Sequence, residues 1–209
     1  MIVDRLEADP RRRESTRVII DGRPAWTVPA DVIRQLGLTE GGVIPSGGVA
    51  LLDAAAEEEG AVRAGLRLVE RRAHSRFEIR RKLVHKGHSD DAVTAAMARL
   101  ERLRLLDDES FAEQYVVARA GRGRGASRLT RDLASLGVDR SIVDRTVVAL
   151  LSDPANDPWP RTLKMAERRA SAMAGLPRAA RQRRLAAFFM RRGFVDTRAR
   201  EAVDRLVTT

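Results

Sequence analysis

The sequence contains no cysteine, so it can form neither a disulfide framework nor a thiolate metal site. Aromatic residues make up only 4% of the chain, which predicts a core built from Leu, Val, Ala and Ile. No window approaches the run of about 18 apolar residues that a membrane helix needs. The first fifteen residues, MIVDRLEADPRRRES, also lack the apolar segment of a signal peptide. We therefore expect a soluble, cytoplasmic protein without a membrane partner.

Positive charge is abundant and unevenly distributed. The chain has 39 Lys and Arg against 29 Asp and Glu, a net charge of +10. Residues 161–200 hold twelve of these cations and two carboxylates, so the whole excess lies in this part of the chain. A second basic run, residues 71–86, has seven cations against Glu78. Such clusters indicate binding to nucleic acid or to an acidic partner, although arginines that serve only as solvated surface residues give the same pattern.

The N-terminal segment, residues 1–60, differs from the rest of the chain in its secondary-structure signals. Two short β-runs flank Asp21-Gly22, a dipeptide typical of hairpin turns. A helix is predicted from Pro29 to a stop at Gly37, and LLDAAAEEEG predicts a short acidic helix after it. These signals predict a small α/β module.

From residue 61 onward the sequence shows only helix signals, and these repeat. Gly87, Gly137 and Gly193 lie 50 and 56 residues apart, and apolar residues occur at equal offsets from each glycine. The aligned apolar positions are Ile79, Leu83, Val93, Met97 and Leu100, then Leu129, Leu133, Val143, Val147 and Leu150, then Leu185, Phe189, Ala199, Val203 and Leu206. The pattern predicts a mainly α fold of three tandem three-helix repeats, residues 61–107, 108–153 and 159–209, in an elongated curved stack.

The segment VARAGRGRGASRL contains Gly121-x-Gly123-x-x-Ala126, the loose form of the dinucleotide-binding fingerprint. That fingerprint needs a preceding strand and a following helix in a parallel βαβ unit, because the phosphates must reach the helix N-terminus. Here a predicted helix, FAEQYVVARA, precedes the glycines, and no strand follows within reach. We therefore interpret the segment as a loop whose arginines contact phosphates or carboxylates, or are simply solvated.

Catalytic and metal-binding motifs are absent from the sequence. His85 and His88 flank the helix-ending Gly87, so their rings do not share a helical face, and no carboxylate stands near them in ligand spacing. The paired carboxylates at Asp90 and Asp107 stand at predicted helix starts, where they favour the helix dipole. The sequence predicts a protein that is not an enzyme and binds no metal or cofactor.

Four segments, in order, resemble the RecX regulatory proteins. They are RVIIDGRPAWTVPADVIRQLGLTEGGVI, SRFEIRRKLVHKGHSDDAVTAAMARLERLRLLDDESFAEQYVVAR, GRGRGASRLTRDLASLGV and FFMRRGFVDTRAREAV. The resemblance implies a modulator of the RecA recombinase, acting in DNA repair, homologous recombination and the SOS response. Such a protein binds the filament of RecA on single-stranded DNA and inhibits its ATP hydrolysis, strand exchange and co-protease activity. It does so by blocking filament growth or promoting disassembly, and we expect a monomer in isolation.

The resemblance also implies which residues contact RecA or DNA, namely the cations in the matching motifs. These are Arg80, Arg81, Lys82, Lys86, Arg122, Arg124, Arg128, Arg131, Arg191 and Arg192. Two other interpretations stay open, a helix-turn-helix-like DNA-binding protein without RecA specificity and a passive helical scaffold. Residues 90–102, 140–149 and 197–206, the last predicted helix of each repeat, contain no Asn or Gln to read base edges. This argues for contacts to shape or charge over sequence reading.

Overall fold

The computed structural model describes residues 1–10 and 12–208, without the side chains of residues 12 and 13. Residue 11, in the predicted N-terminal segment, and residue 209, the end of the predicted third repeat, lie outside the described residues. The chain packs into two compact units, each with two clusters of buried apolar side chains. One unit comprises Met1–His74 and Glu78–Leu106, and the other comprises Ser75–Phe77 and Asp107–Thr209.

Three antiparallel strands begin the first unit: β1 (Arg5–Asp9), β2 (Arg12–Ile20) and β3 (Arg23–Pro29), in the order β1-β2-β3. The predicted hairpin is confirmed, since Asp21 and Gly22 turn with φ of 51° and 70°, as a type I′ turn requires. The sequence did not predict β1, whose five residues RLEAD include three charged side chains and none of the β-branched or aromatic residues typical of strands. Val18 and Val28 are fully buried on one face of the sheet.

Two helices follow the sheet, α1 (Ala30–Gln35) and α2 (Gly48–Val69). The sequence predicted a short acidic helix and, from residue 61, the first helix of a separate repeat, whereas the structure has one continuous helix of 22 residues. Gly60 stands in its interior, where a glycine costs about 1 kcal/mol without ending the helix. The first half of α2 buries Leu52 with the sheet residues, and the second half buries Val62 in the next cluster. The predicted boundary after residue 60 therefore lies inside a helix that both clusters share.

The first repeat adds α3 (Arg76–His85) and α4 (Asp90–Arg102) to the second half of α2. Ser89 begins α4, because its side chain accepts a hydrogen bond from the Ala92 backbone N–H. All five predicted core positions are buried, which confirms the helical register of the repeat. They are Ile79, Leu83, Val93, Met97 and Leu100.

The second unit contains six longer helices: α5 (Asp108–Ala120), α6 (Ala126–Ser135), α7 (Arg140–Leu151), α8 (Trp159–Ser171), α9 (Arg178–Arg192) and α10 (Thr197–Thr208). A 3-10 turn, Pro154–Asn156, occupies the Pro-rich link between α7 and α8. The aligned positions of these repeats are buried, except that Leu150 and Leu206 are half-buried at the ends of their helices. Trp159 stacks on Phe189, with ring centroids 5.4 Å apart, and so concentrates the few aromatics in one core.

The predicted fold class is confirmed in its elements: the described residues form ten helices and one small N-terminal antiparallel sheet. The helices after α2 follow the predicted grouping, with α3–α4, α5–α7 and α8–α10 packing around separate clusters. The division of the chain into one N-terminal segment and three repeats as independent domains stays a prediction.

Candidate functional site

The first group of candidate cations lies on α3 and directly after it, in the first unit. Arg80 is exposed and donates to the Thr94 hydroxyl at 3.2 Å, while Arg81 and Lys86 are exposed at the surface. Lys82 differs, since it is half-buried and its Nζ lies 2.7 Å from Nε2 of His74. The four candidates thus divide into three surface cations and one that takes part in the packing of the repeat.

The partner of Lys82, His74, belongs to a small polar cluster at the start of α3. His74 is 5% exposed, and its Nδ1 lies 2.9 Å from the Arg72 carbonyl oxygen. A neutral ring that donates from Nδ1 and accepts at Nε2 satisfies both contacts. Burial lowers the pKa of His74, and the nearby charges of Arg72 and Lys82 lower it further. Arg72 in turn binds the buried Glu78 carboxylate at 2.7 Å, which raises the pKa of Arg72.

The glycine-rich loop between α5 and α6 is a packing joint. Gly123 has φ of 77°, and a Cβ there would lie 2.6 Å from the Thr162 hydroxyl and 2.9 Å from Met165 Cε on α8. The Thr162 hydroxyl donates to the Gly123 carbonyl at 3.0 Å, and the Gly125 N–H donates to the Arg192 carbonyl at 2.8 Å. The glycines therefore let the second repeat approach the third, which explains the pattern without a nucleotide. A strand before the glycines, which a dinucleotide fold requires, is replaced by α5.

Two of the candidate arginines in this region form ion pairs. Arg124 and Arg128 both bind the Asp132 carboxylate. Arg128 lies one helical turn before Asp132, and its Nε is 2.8 Å from Oδ1 of that carboxylate. Tyr115 donates to the same carboxylate at 3.3 Å, and burial together with that negative charge raises the pKa of Tyr115. Because both pair with the same carboxylate, Arg124 and Arg128 hold the loop onto α6.

Arg192 closes the joint from the side of α9. Its guanidinium donates to the carbonyl oxygens of Arg122 and Gly123, at 2.9 and 3.2 Å, and lies 5.0 Å from the centre of the Phe188 ring. Burial lowers the pKa of Arg192, and repulsion from Arg124 of the loop and from Arg161 and Arg169 of α8 lowers it further. This arginine binds loop carbonyls, so its side chain holds two repeats together.

The structure therefore brings Arg122, Arg124, Arg128 and Arg192 together around the glycine loop. Arg131 is exposed on α6, where its Nε donates to the Ser127 carbonyl at 3.1 Å, and Arg191 is exposed on α9. The α3 candidates belong to the other unit.

Sequence reasoning missed three arginines that line a groove with Arg191, namely Arg169, Arg183 and Arg184. The signal for them was present in the basic excess of residues 161–200, but no motif selected individual positions. In the described part of the chain, no three His, Asp or Glu side chains form a group that could hold a metal ion. None of the helices described is long and apolar enough to cross a membrane.

Comparison with known proteins is decisive for the family. A model of the first three-helix domain of RecX matches residues 61–100, and a model of the second three-helix domain matches residues 107–147. A regulatory protein RecX from Halorhodospira halophila is 35% identical over 151 residues, which cover 72% of this chain and 90% of that relative. The chain belongs to the RecX family. RecX proteins of Chlorobium limicola and Stenotrophomonas maltophilia are 32% and 33% identical, each over 69% of this chain and over 87% and 86% of their own lengths.

Solved RecX structures share the fold. A crystal structure of a regulatory protein RecX has a TM-score of 0.75 at 19% identity and covers 98% of both chains. The RecX of Lactobacillus salivarius has a TM-score of 0.57 at 19% identity, over 73% of this chain and 95% of its own. The RecX models include the candidates on α3 and those around the glycine loop on α6, whereas Arg191 and Arg192 lie beyond both matched ranges. The chain is thus a member of a family of regulatory proteins.

Proposed function

We propose that this protein regulates the RecA recombinase by binding the filament that RecA forms on single-stranded DNA. Binding inhibits the filament's ATP hydrolysis, strand exchange and co-protease activity, through blocked growth or promoted disassembly. The observation that carries the proposal is membership of the RecX family, whose relatives align over most of both chains. The protein acts in the cytoplasm as a monomer, without a catalytic residue or cofactor of its own.

The distribution of charge supports a polyanionic partner. The filament contains DNA, so cations at the protein surface gain electrostatic attraction to it. Lys82, Arg124, Arg128 and Arg192 are engaged inside the protein, and we assign them to positioning the repeats. The remaining candidates are exposed, and we assign contacts with RecA or DNA to them. They are Arg80, Arg81, Lys86, Arg122, Arg131 and Arg191.

The decisive experiment measures ATP hydrolysis by RecA on single-stranded DNA while this protein is added. We expect inhibition at well below one molecule per RecA protomer, because a protein that blocks growth or propagates disassembly affects many protomers at once. A RecA-independent DNA-dependent ATPase serves as the control and keeps its rate. Unchanged RecA activity at saturating protein, with a gel shift of the DNA still present, would instead favour a helix-turn-helix-like DNA-binding protein without RecA specificity. If the protein neither inhibits RecA nor binds DNA, the interpretation as a passive scaffold remains.

A further inference from the structure

A groove of about 560 Å³ runs between α8 and α9 in the third repeat. Its lining residues come from two helical stripes that face each other. Arg169 of α8 lines it together with Ala172 and Met173, which directly follow that helix, and Arg183, Arg184, Ala187 and Arg191 line it from α9. Ala172 and Ala187 are small, so the arginine side chains extend beyond them and form the walls. The spacing of four residues between positions 183, 187 and 191 places all three on one face of α9.

The charge of this groove is unbalanced. None of its lining residues is acidic, and α8 and α9 together carry ten cations against one carboxylate, Glu167. Arg183, Arg184 and Arg191 are exposed, and among the described residues none of them forms an ion pair. This contrasts with Arg124 and Arg128, which both form ion pairs with Asp132. The groove therefore concentrates positive charge that the protein itself does not neutralise.

The chemistry of the lining narrows the class of partner. A guanidinium presents a rigid fork of N–H donors that matches the geometry of phosphate oxygens. The apolar part of the lining is small, two alanines and the buried Met173, whereas the sites that anchor most protein partners hold large apolar side chains. Arginine walls on a shallow floor make no distinction between bases, and the helices present no exposed aromatic on which bases would stack.

We propose that the α8–α9 groove binds the phosphate backbone of single-stranded DNA without sequence preference. A flexible single strand can follow a groove between two packed helices, whereas a stiff duplex can offer only one of its edges. The inference rests on the proposed function and deepens it, because it assigns the DNA of the filament to one surface of the third repeat. Arg183, Arg184 and Arg191 make the phosphate contacts, and Arg169 contributes charge from the opposite wall.

The test compares two triple variants with equal loss of charge. The groove variant is Arg183→Gln, Arg184→Gln and Arg191→Gln. The control variant, Lys164→Gln, Arg168→Gln and Arg178→Gln, removes three exposed cations of the same two helices that do not line the groove. Arg169 is kept in both, since its guanidinium lies 5.6 Å from the centre of the Phe188 ring and contributes to packing. Binding is measured by fluorescence anisotropy of a labelled oligothymidylate of about 20 nucleotides, without RecA, over a range of salt concentrations.

We expect the groove variant to lose about tenfold or more in affinity and the slope of log K against log salt to fall by about 2, since each phosphate contact contributes about 0.7. The control keeps a slope close to that of the unmodified protein. Equal losses from both variants, or unchanged binding by the groove variant, would overturn the site. Polyglutamate that displaces the oligonucleotide as effectively as unlabelled oligothymidylate at equal charge would assign the groove to acidic proteins instead. Circular dichroism melts establish that both variants are folded.

This test is independent of the one for regulation. If the groove variant binds DNA normally but the unmodified protein inhibits RecA, the groove assignment is wrong and the regulatory function stands. If the groove binds DNA and RecA activity is unaffected, the regulatory function is wrong and the DNA site stands.

Discussion

His74 illustrates how a single buried side chain makes the stability of the first unit depend on pH. Its neutral ring donates to the Arg72 carbonyl and accepts from Lys82, and the Glu78 carboxylate lies close to the cluster. Protonation would place a second N–H against the Lys82 ammonium in a site with little water. The pKa of His74 is therefore lowered on folding, below the value of about 6.5 of an unfolded histidine.

The sign of the pH effect follows from this shift. Below about pH 6.5 the unfolded chain binds a proton that the folded His74 resists, so the free energy of unfolding decreases as the pH falls. We expect the difference in free energy of unfolding between the unmodified protein and His74→Gln to shrink between about pH 7.5 and 5. Urea denaturation at each pH measures it. Subtracting the His74→Gln curve removes the contributions of His85 and His88, and a difference that stays constant across this range would contradict the assignment.

At the scale of elements, the glycine loop and the end of α9 form a close contact between the two repeats of the second unit. Gly193 ends α9 with φ of 91°, and a Cβ there would lie 2.4 Å from the Arg128 backbone nitrogen and 2.9 Å from the Gly125 carbonyl oxygen. The equivalent glycine of the first repeat, Gly87, has φ of 87° but nothing within 4 Å of such a Cβ. The two positions share the same backbone requirement and differ in their surroundings.

This pair separates backbone strain from packing. We expect Gly87→Ala to cost about 1–2 kcal/mol, the price of a left-handed non-glycine residue. Gly193→Ala should cost about 2 kcal/mol more, because backbone atoms of α6 and the loop must also move. Chemical denaturation, monitored by circular dichroism, measures the free energy of unfolding of both variants. If both substitutions lower the free energy of unfolding by the same amount, the atoms around Gly193 can move at no cost, which would contradict the close-packed contact.

At the scale of the whole molecule, the net charge of +10 arises from residues 161–200, while the rest of the chain is close to neutral. Attraction to a DNA-containing filament should therefore depend strongly on ionic strength. We expect the concentration for half-maximal inhibition of RecA to rise about twentyfold between 50 and 200 mM salt, as about three phosphate contacts predict. Rates are compared with RecA alone at each salt concentration, since the enzyme responds to salt itself. A flat response would mean that apolar contacts govern the interaction.

The amino-acid sequence by itself determined which residues are buried in each repeat. Ile79, Leu129 and Leu185 each lie eight residues before one of the three glycines, and helical periodicity places the apolar positions of each helix on one face. It also indicated the hairpin at Asp21-Gly22, because few dipeptides adopt two left-handed conformations. The sequence did not reveal β1, because a short strand of mostly charged residues has no strong local pattern. It also did not reveal that α2 is continuous, because Gly60 favours a helix end locally and only the packing of the helix offsets that preference.

The candidate site, too, was predictable from the sequence only in part. The cations of α3, the loop and α9 could be selected from charge and motif, because those properties are local. Only the tertiary structure separated Arg124 and Arg128, paired with Asp132, and Arg192, bound to loop carbonyls, from the arginines whose charge stays exposed. It also brought Arg169 of α8 opposite Arg183 of α9, two residues without a common motif. Whether a charge is paired depends on neighbours from other helices, and the packing of those helices determines which neighbours it meets.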